Sequence, residues 1–220
     1  MSTVKPLYSG RQLVVAMAIA LVMVASVARP ASAASSVAPL GVVKQLVARV
    51  LGIVNNKQMA QADKRKKLRE LGTANLDFDE MSRLAMGRSW RSLSADQRRR
   101  FVPAFSSFLE DAYLNKVQNY SGQDIQITRA RLSERNYAQV SGRIVPQGSE
   151  PIGLSFSLKR DEGAWKIYDV AIDNVSTLQS YRAEFQRIMS DKGFDDLMRQ
   201  IQDRDRELAS TLGSPTGLPF

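Results

Sequence analysis

The spacing of the apolar residues changes from helical to alternating at Ser121–Gly122, and this change most restricts the possible folds. Before it, apolar residues recur at the period of a helix. After it, apolar and polar residues alternate in four short runs that begin near Ile125, Ala138, Ile152 and Trp165, as strands with one buried face do. Helices followed by strands with short links predict an α+β fold, with a twisted antiparallel sheet of about four strands packed against several helices.

The helical part contains recognisable starts and stops. The first predicted helix runs from Pro39 to Val54, and a strongly basic stretch after it is helix-compatible, with Gly72 as its expected end. Asp77 with Glu80, and Ser94 with Gln97, have the spacing of capping boxes. The second of these opens a long helix, and Pro103 is expected to bend it.

The fourth strand has an imperfect alternation. Trp165 and Ile167 are expected to point to one face, and Tyr168, Val170 and Ile172 to the other, so both faces need covering. Ser176 or Thr177 then caps a helix that ends at Gly193, and a last amphipathic helix follows it. The helices exceed what one sheet face needs, so they either thicken an ordinary core or enclose an apolar pocket.

The first 33 residues have the pattern of a secretion signal. Lys5 and Arg11 precede an apolar run from Leu13 to Val27, and Ala31-Ser32-Ala33 is a small-residue cleavage site. The alternative, an uncleaved membrane anchor, would need about 20 apolar residues, more than this run supplies. The predicted organisation is a signal peptide over 1–33, one domain over 34–210 and a loose tail over 211–220, which places the mature protein outside the cytoplasm.

The composition excludes much of enzyme chemistry. The chain has no cysteine and no histidine, so it lacks disulfides, the common zinc ligands and the usual general base. Only carboxylate, lysine or tyrosine chemistry remains. We therefore expect no zinc site, and any catalysis would depend on those three kinds of side chain.

The chain is basic, with 31 Lys and Arg against 22 Asp and Glu, a formal charge of +9. Three of the cations belong to the predicted signal, which leaves a mature charge of +6. In an exported protein this charge favours anionic lipid surfaces or acidic protein partners over nucleic acid. The basic stretch Lys64–Arg69 and the run Arg98–Arg100 are either a solvated face or part of such a docking surface.

Three motifs occur in a fixed order between Phe78 and Ile201. A helix ends in Gly-x-x-Trp, a Gln-Arg-x-x-Phe helix leads to a tyrosine, and a Trp-Lys-x-x-Asp-Val strand precedes Ser and Tyr-Arg-x-x-Phe. The residues are Gly87 and Trp90; Gln97, Arg98, Phe101 and Tyr113; and Trp165, Lys166, Asp169, Val170, Ser176, Tyr181, Arg182 and Phe185. In this order and spacing they resemble the MlaC, or toluene-tolerance, family of periplasmic phospholipid carriers.

The resemblance implies a fold like that of MlaC proteins and nuclear-transport-factor-like domains, with acyl chains in a pocket between sheet and helices. It further implies a monomeric shuttle between an inner-membrane ABC transporter with its MCE-domain protein and an outer-membrane lipoprotein complex. Phospholipid would be its cargo, and its contact with membrane surfaces would be transient. Such a carrier is not an enzyme and needs no metal or other cofactor. The residues expected around the lipid are Met81, Leu84, Trp90, Phe105, Phe108, Leu109, Tyr113, Ile127, Val140, Leu154, Phe156, Trp165, Ile167, Tyr181 and Phe185.

Three other functions remain open. A ketosteroid-isomerase-like enzyme also builds a curved sheet around an apolar cavity, and Asp169 beside Tyr168 could supply its carboxylate base. An exported adaptor could bind membranes or partners through its basic face alone. A carrier of hopanoid or another lipid would have the same apolar pocket.

Overall fold

The computed structural model describes residues 38–118, 120, 122–134 and 136–211. Four helices come first: α1 (Pro39–Val54), α2 (Gln61–Asn75), α3 (Phe78–Met86) and α4 (Ala95–Gln118), with a 3-10 helix (Gly87–Ser92) between the last two. Strands β1 (Asp124–Glu134), β2 (Tyr137–Val145), β3 (Ile152–Asp161), β4 (Ala164–Ile172) and β5 (Val175–Ser176) follow. Helices α5 (Thr177–Asp191) and α6 (Phe194–Thr211) complete the described part.

The strands form one antiparallel sheet in chain order, β1-β2-β3-β4-β5. The predicted α+β fold is confirmed, and the four predicted strands are present. The two-residue strand β5 was not expected from the pattern. The predicted signal peptide and most of the predicted tail lie outside the described residues, so the domain bounds stay a prediction.

A register shift in β4 corrects the predicted direction of its side chains. Ile167 lies opposite Leu158, whereas Val170 lies opposite Phe156, and Tyr168 is the extra residue between them. Because Leu158 and Phe156 are two residues apart on β3, they share a face of the sheet. The bulge therefore returns Val170 to the face of Ile167, instead of turning it to the other face as expected.

Most helix ends follow the predicted chemistry. Asp77 accepts a hydrogen bond from the Glu80 amide at 3.0 Å, and Ser94 and Gln97 cap each other reciprocally at 2.9 and 3.1 Å. Gly72, in contrast, does not end α2, because the helix continues to Asn75. The next residue, Leu76, instead forms an isolated bridge to Ile167, which ties the end of α2 to the sheet.

The buried residues form two main clusters. The helical cluster, which lies among α3, α4, α5 and α6, includes Met81, Phe101, Phe105, Leu109 and Phe185. Its rings pack at close range: for example, the centroids of Phe105 and Phe185 are 5.3 Å apart. The sheet cluster joins α1 to the inner face of the sheet through Val43, Ala138, Val140, Leu154, Phe156, Leu158, Trp165 and Ile167.

The structure shows why position 87 is a glycine. Gly87 ends α3 with φ of +53°, a backbone conformation that residues with a Cβ rarely adopt. A Cβ at this position would lie 2.5 Å from Nε of Arg182 on α5. The Gly-x-x-Trp motif thus includes a close approach between the end of α3 and α5.

Candidate functional site

An apolar cavity of about 230 Å³ lies where α1, α2, α4 and the sheet meet. Its walls come from the facing sides of the three helices and from the inner face of β3 and β4. The lining residues are Leu46, Val50, Leu68, Arg69, Leu71, Gly72, Leu76, Glu110, Tyr113, Leu114, Val117, Phe156, Ile167 and Val170.

Local packing keeps this space open. Leu68 on α2 and Leu114 on α4 are buried together in a small cluster, with Val50, Ile53, Val54 and Val117 around them. This cluster closes the α1–α2 pair against α4. The tie between Leu76 and Ile167 holds the other end of α2 to the sheet. Because both contacts hold α2 in place, the space between these two contacts is enclosed by α2, but no side chain fills it.

Tyr113 lies at the boundary between the cavity and the helical cluster, since its ring lines the first and packs against the second. Its hydroxyl oxygen is buried and makes no hydrogen bond of good geometry within the described part of the chain. Burial, with smaller contributions from Asp169 and Tyr181, raises the pKa of this phenol. The hydroxyl is therefore protonated throughout the physiological range.

Charged residues of the lining lie where α2 faces α4. Arg69 forms an ion pair with Asp111, whose side chain is only 4% exposed while that of Arg69 is 44% exposed. The Thr73 hydroxyl, which has a single hydrogen to donate, lies 3.1 Å from the Arg69 carbonyl oxygen and 3.4 Å from Oε1 of Glu110. Burial raises the pKa of Glu110, and Arg69 and Thr73 partly oppose that rise. Burial also raises the pKa of Asp111 against the effect of Arg69.

The structure divides the residues predicted to contact lipid among three places. Tyr113, Phe156 and Ile167 line the cavity. Met81, Leu84, Trp90, Phe105, Phe108, Leu109, Tyr181 and Phe185 pack in or against the helical cluster, and Ile127, Val140, Leu154 and Trp165 pack in or against the sheet cluster. Phe108 and Tyr181 also border a second depression, of about 440 Å³, formed with residues of α4 and α6.

Much of the lining was not identified from the sequence. The residues concerned are Leu46, Val50, Leu68, Arg69, Leu71, Gly72, Leu76, Glu110, Leu114, Val117 and Val170. A signal was present on α2, where Leu68, Leu71, Gly72 and Leu76 recur at three- and four-residue spacing within a run dominated by charge. On α4, Leu114 and Val117 likewise continue a helical face past Tyr113.

Asp169 is occupied by hydrogen bonds at the start of α5. Its Oδ2 accepts from the Ser176 hydroxyl at 2.6 Å, and its Oδ1 accepts from the Leu178 amide at 3.2 Å. Ser176, in turn, accepts from the Gln179 amide at 3.1 Å as the N-cap of the helix. Asp169 thus fixes the junction of β4 with α5, which is a structural role and differs from that of a base open to a substrate.

The basic residues expected at a docking surface have different surroundings. Arg98 lies over the ring of Trp90 at 5.2 Å and donates to the Trp90 carbonyl at 3.0 Å. Arg99 and Arg100 pair with Asp96 and Asp195, each at 3.2 Å. On α2, Lys66 and Lys67 are exposed.

Among residues 38–118, 120, 122–134 and 136–211, no group of acidic side chains could hold a metal ion. No helix in the same ranges is long and apolar enough to cross a membrane.

A solved structure has a similar fold. It is the phospholipid-binding protein from Ralstonia solanacearum, in complex with a phospholipid, and it superposes with a TM-score of 0.66. The alignment covers 76% of this chain and 97% of that chain at 23% sequence identity. At this identity the likeness is one of fold.

Sequence comparison identifies a relative and a family. The intermembrane phospholipid transport system binding protein MlaC of Haemophilus influenzae is 31% identical over 121 residues, which are 53% of this chain and 56% of the relative. The match therefore spans about half the length of that relative. The model of the family described as MlaC protein matches residues 44–203, more than half of the chain. This chain belongs to the MlaC family, as its motifs predicted.

Proposed function

We propose that this protein is a periplasmic carrier that buries the acyl chains of a phospholipid in the cavity between α1, α2, α4 and the sheet. The carrier moves lipid between an inner-membrane ABC transporter with its MCE-domain protein and an outer-membrane lipoprotein complex. The observation that carries the proposal is the apolar cavity itself, in a chain of the MlaC family. The phospholipid bound by the Ralstonia solanacearum protein, which has the same fold, supports it.

The energetics of lipid transfer require such a cavity. Each buried methylene is worth about 0.8 kcal/mol, so a diacyl lipid exposed to water would lose on the order of 20 kcal/mol. A carrier that recovers most of this free energy makes transfer between membranes nearly neutral. The partners at the two membranes then set the direction of transport, and no chemical step is needed.

The cavity must widen to accept two chains. Its volume of about 230 Å³ is below the roughly 300–1,000 Å³ of sites that enclose drug-sized ligands. Widening would have to come from shifts of lining side chains, because α2 is held to α4 by contacts such as Leu68 with Leu114 and Arg69 with Asp111. Tyr113, which borders both the cavity and the helical cluster, would contact acyl chains that reach deeper.

The test is to identify what the exported protein carries. Protein purified from the periplasm is analysed intact by native mass spectrometry, and a second sample is extracted with organic solvent for lipid identification. We expect a mature chain that begins at Ala34 and a bound diacyl phospholipid. If the extract contains a hopanoid instead, the proposed cargo is wrong but the carrier function stands. If the protein stays empty even after incubation with phospholipid vesicles, the carrier function is refuted.

A further inference from the structure

The apolar lining becomes polar at one place, which we call the α2–α4 seam: Arg69 and Thr73 on α2, with Glu110 and Asp111 on α4. Arg69 and Glu110 are the charged residues of the cavity lining. Lys66, Arg69, Glu70 and Thr73 also line an adjoining surface depression. Polar groups thus lead from the apolar cavity to solvent along the seam.

The contacts of Arg69 leave part of its guanidinium accessible. One terminal nitrogen pairs with Asp111, which is buried and holds the guanidinium in place. The group has five N–H donors in a planar fork, and 44% of the Arg69 side chain stays exposed. Asp111 thus holds the guanidinium on one side, while its remaining N–H donors can reach solvent. Such a group suits a phosphodiester, whose oxygens can accept two of these donors at once.

The carboxylates at the seam have fewer hydrogen-bond donors and cations around them than they could accept. Oε1 of Glu110 lies 3.4 Å from the Thr73 hydroxyl, whose single hydrogen is nearer to the Arg69 carbonyl oxygen. Asp205 on α6 is close enough to raise the pKa of both Glu110 and Asp111, and its own Oδ1 is buried without a hydrogen-bond partner among the described residues. Arg69 lowers the pKa of both carboxyl groups, and Arg65 also lowers that of Asp111, but burial outweighs these effects. A further positive group next to Glu110 would therefore be favourable.

We propose that the α2–α4 seam holds the lipid headgroup, with the phosphodiester on Arg69 and an ammonium group beside Glu110. The protein then loads amine-bearing zwitterionic phospholipids in preference to anionic ones. An ethanolamine headgroup supplies both charges at the spacing of neighbouring side chains. A glycerol headgroup supplies the phosphate and leaves the carboxylate of Glu110 uncompensated. This inference rests on the proposed carrier function, because it assigns the headgroup of the same cargo.

The test is a competition for loading. Protein freed of lipid is incubated with vesicles that contain phosphatidylethanolamine and phosphatidylglycerol in equal amounts with identical acyl chains, and native mass spectrometry gives the ratio of the two complexes. We expect a preference for the ethanolamine lipid of about threefold to fivefold, the range of a partly exposed ion pair. Added salt should reduce it.

Glu110→Gln removes the charge and keeps the shape, so it should bring the ratio close to one while the protein stays folded and loads lipid. Glu150→Gln is the matched control, because Glu150 is exposed in the loop between β2 and β3. This variant should keep the wild-type ratio.

The outcomes separate the two proposals. Equal loading of both lipids by the wild type, or an unchanged ratio in Glu110→Gln, overturns the headgroup site and leaves the carrier function standing. Failure of the wild type to take up either lipid overturns the carrier function itself.

Discussion

Val170→Trp tests whether the cavity is the place where lipid binds. Val170 lines the cavity from β4, opposite Phe156 on β3, and strands accept aromatic residues readily. The new ring can enter space that is already present. We therefore expect the lipid-free variant to be within about 1 kcal/mol of the wild type in its free energy of unfolding.

The effect on lipid should be much larger. Tryptophan adds about seven non-hydrogen atoms to the valine side chain, and if each displaces one methylene, the lost burial is worth about 5.6 kcal/mol. An acyl chain that shifts towards the α2–α4 seam would regain part of this burial free energy. Since about 1.4 kcal/mol is a factor of ten, lipid affinity should fall at least tenfold.

Val140→Trp is the matched control, because it is the same change on the same sheet. Val140 is 0% exposed and belongs to the sheet cluster with Val43; it is not part of the cavity lining, although its cross-strand neighbour Phe156 is. Overpacking there should cost roughly 1 to 3 kcal/mol. Urea unfolding measures stability, and native mass spectrometry after vesicle incubation measures loading. If Val170→Trp is destabilised as much as Val140→Trp, or if it loads lipid like the wild type, the cavity is not the lipid site.

Three further predictions concern stability, each measured by urea unfolding. Gly87→Ala should cost about 1 to 3 kcal/mol, because the Cβ would meet Arg182 at a positive φ; Gly148→Ala, whose φ is +74° with no atom within 4 Å, should cost less, and equal costs would contradict the clash. Ser176→Ala should cost about 1 to 2 kcal/mol through the lost helix cap, whereas Ser180→Ala, an exposed position inside α5, should cost little. Burial raises the pKa of Glu110, so the folded state binds its proton more tightly, and ionisation as pH rises lowers wild-type stability. The stability of Glu110→Gln relative to the wild type should therefore increase with pH above the ordinary glutamate value of 4.5 and then level off; a difference that is constant with pH would contradict this.

The fold was predictable because its signals are local. Hydrophobic period, two capping boxes and short links are each read within a few residues, and they determine which segments become helices or strands. The bulge at Tyr168 was not predictable in the same way. It depends on how β4 pairs with β3, and a pairing partner is not visible in the alternation of one strand.

The cavity lining was harder to predict because packing, not residue type, separates core from pocket. Large rings such as Phe105 and Phe185 were assigned to the pocket, but their mutual packing fills the helical cluster. The lining is mostly aliphatic, and on α2 it is hidden within a run of charges. The pair of Arg69 with Asp111 joins residues 42 positions apart, a separation at which no sequence pattern indicates a contact.

The separation of packed core from cavity explains how a carrier can stay folded when empty. An unfilled apolar space costs up to about 24 cal/mol per Å³, so 230 Å³ represents at most about 5.5 kcal/mol. That is as large as the whole stability of a marginal domain, which is roughly 5 to 15 kcal/mol. The aromatic helical cluster lies largely outside the cavity and retains its contacts whether or not lipid is present. Bound lipid then adds stability by mass action, and its release removes that increment without dismantling the fold.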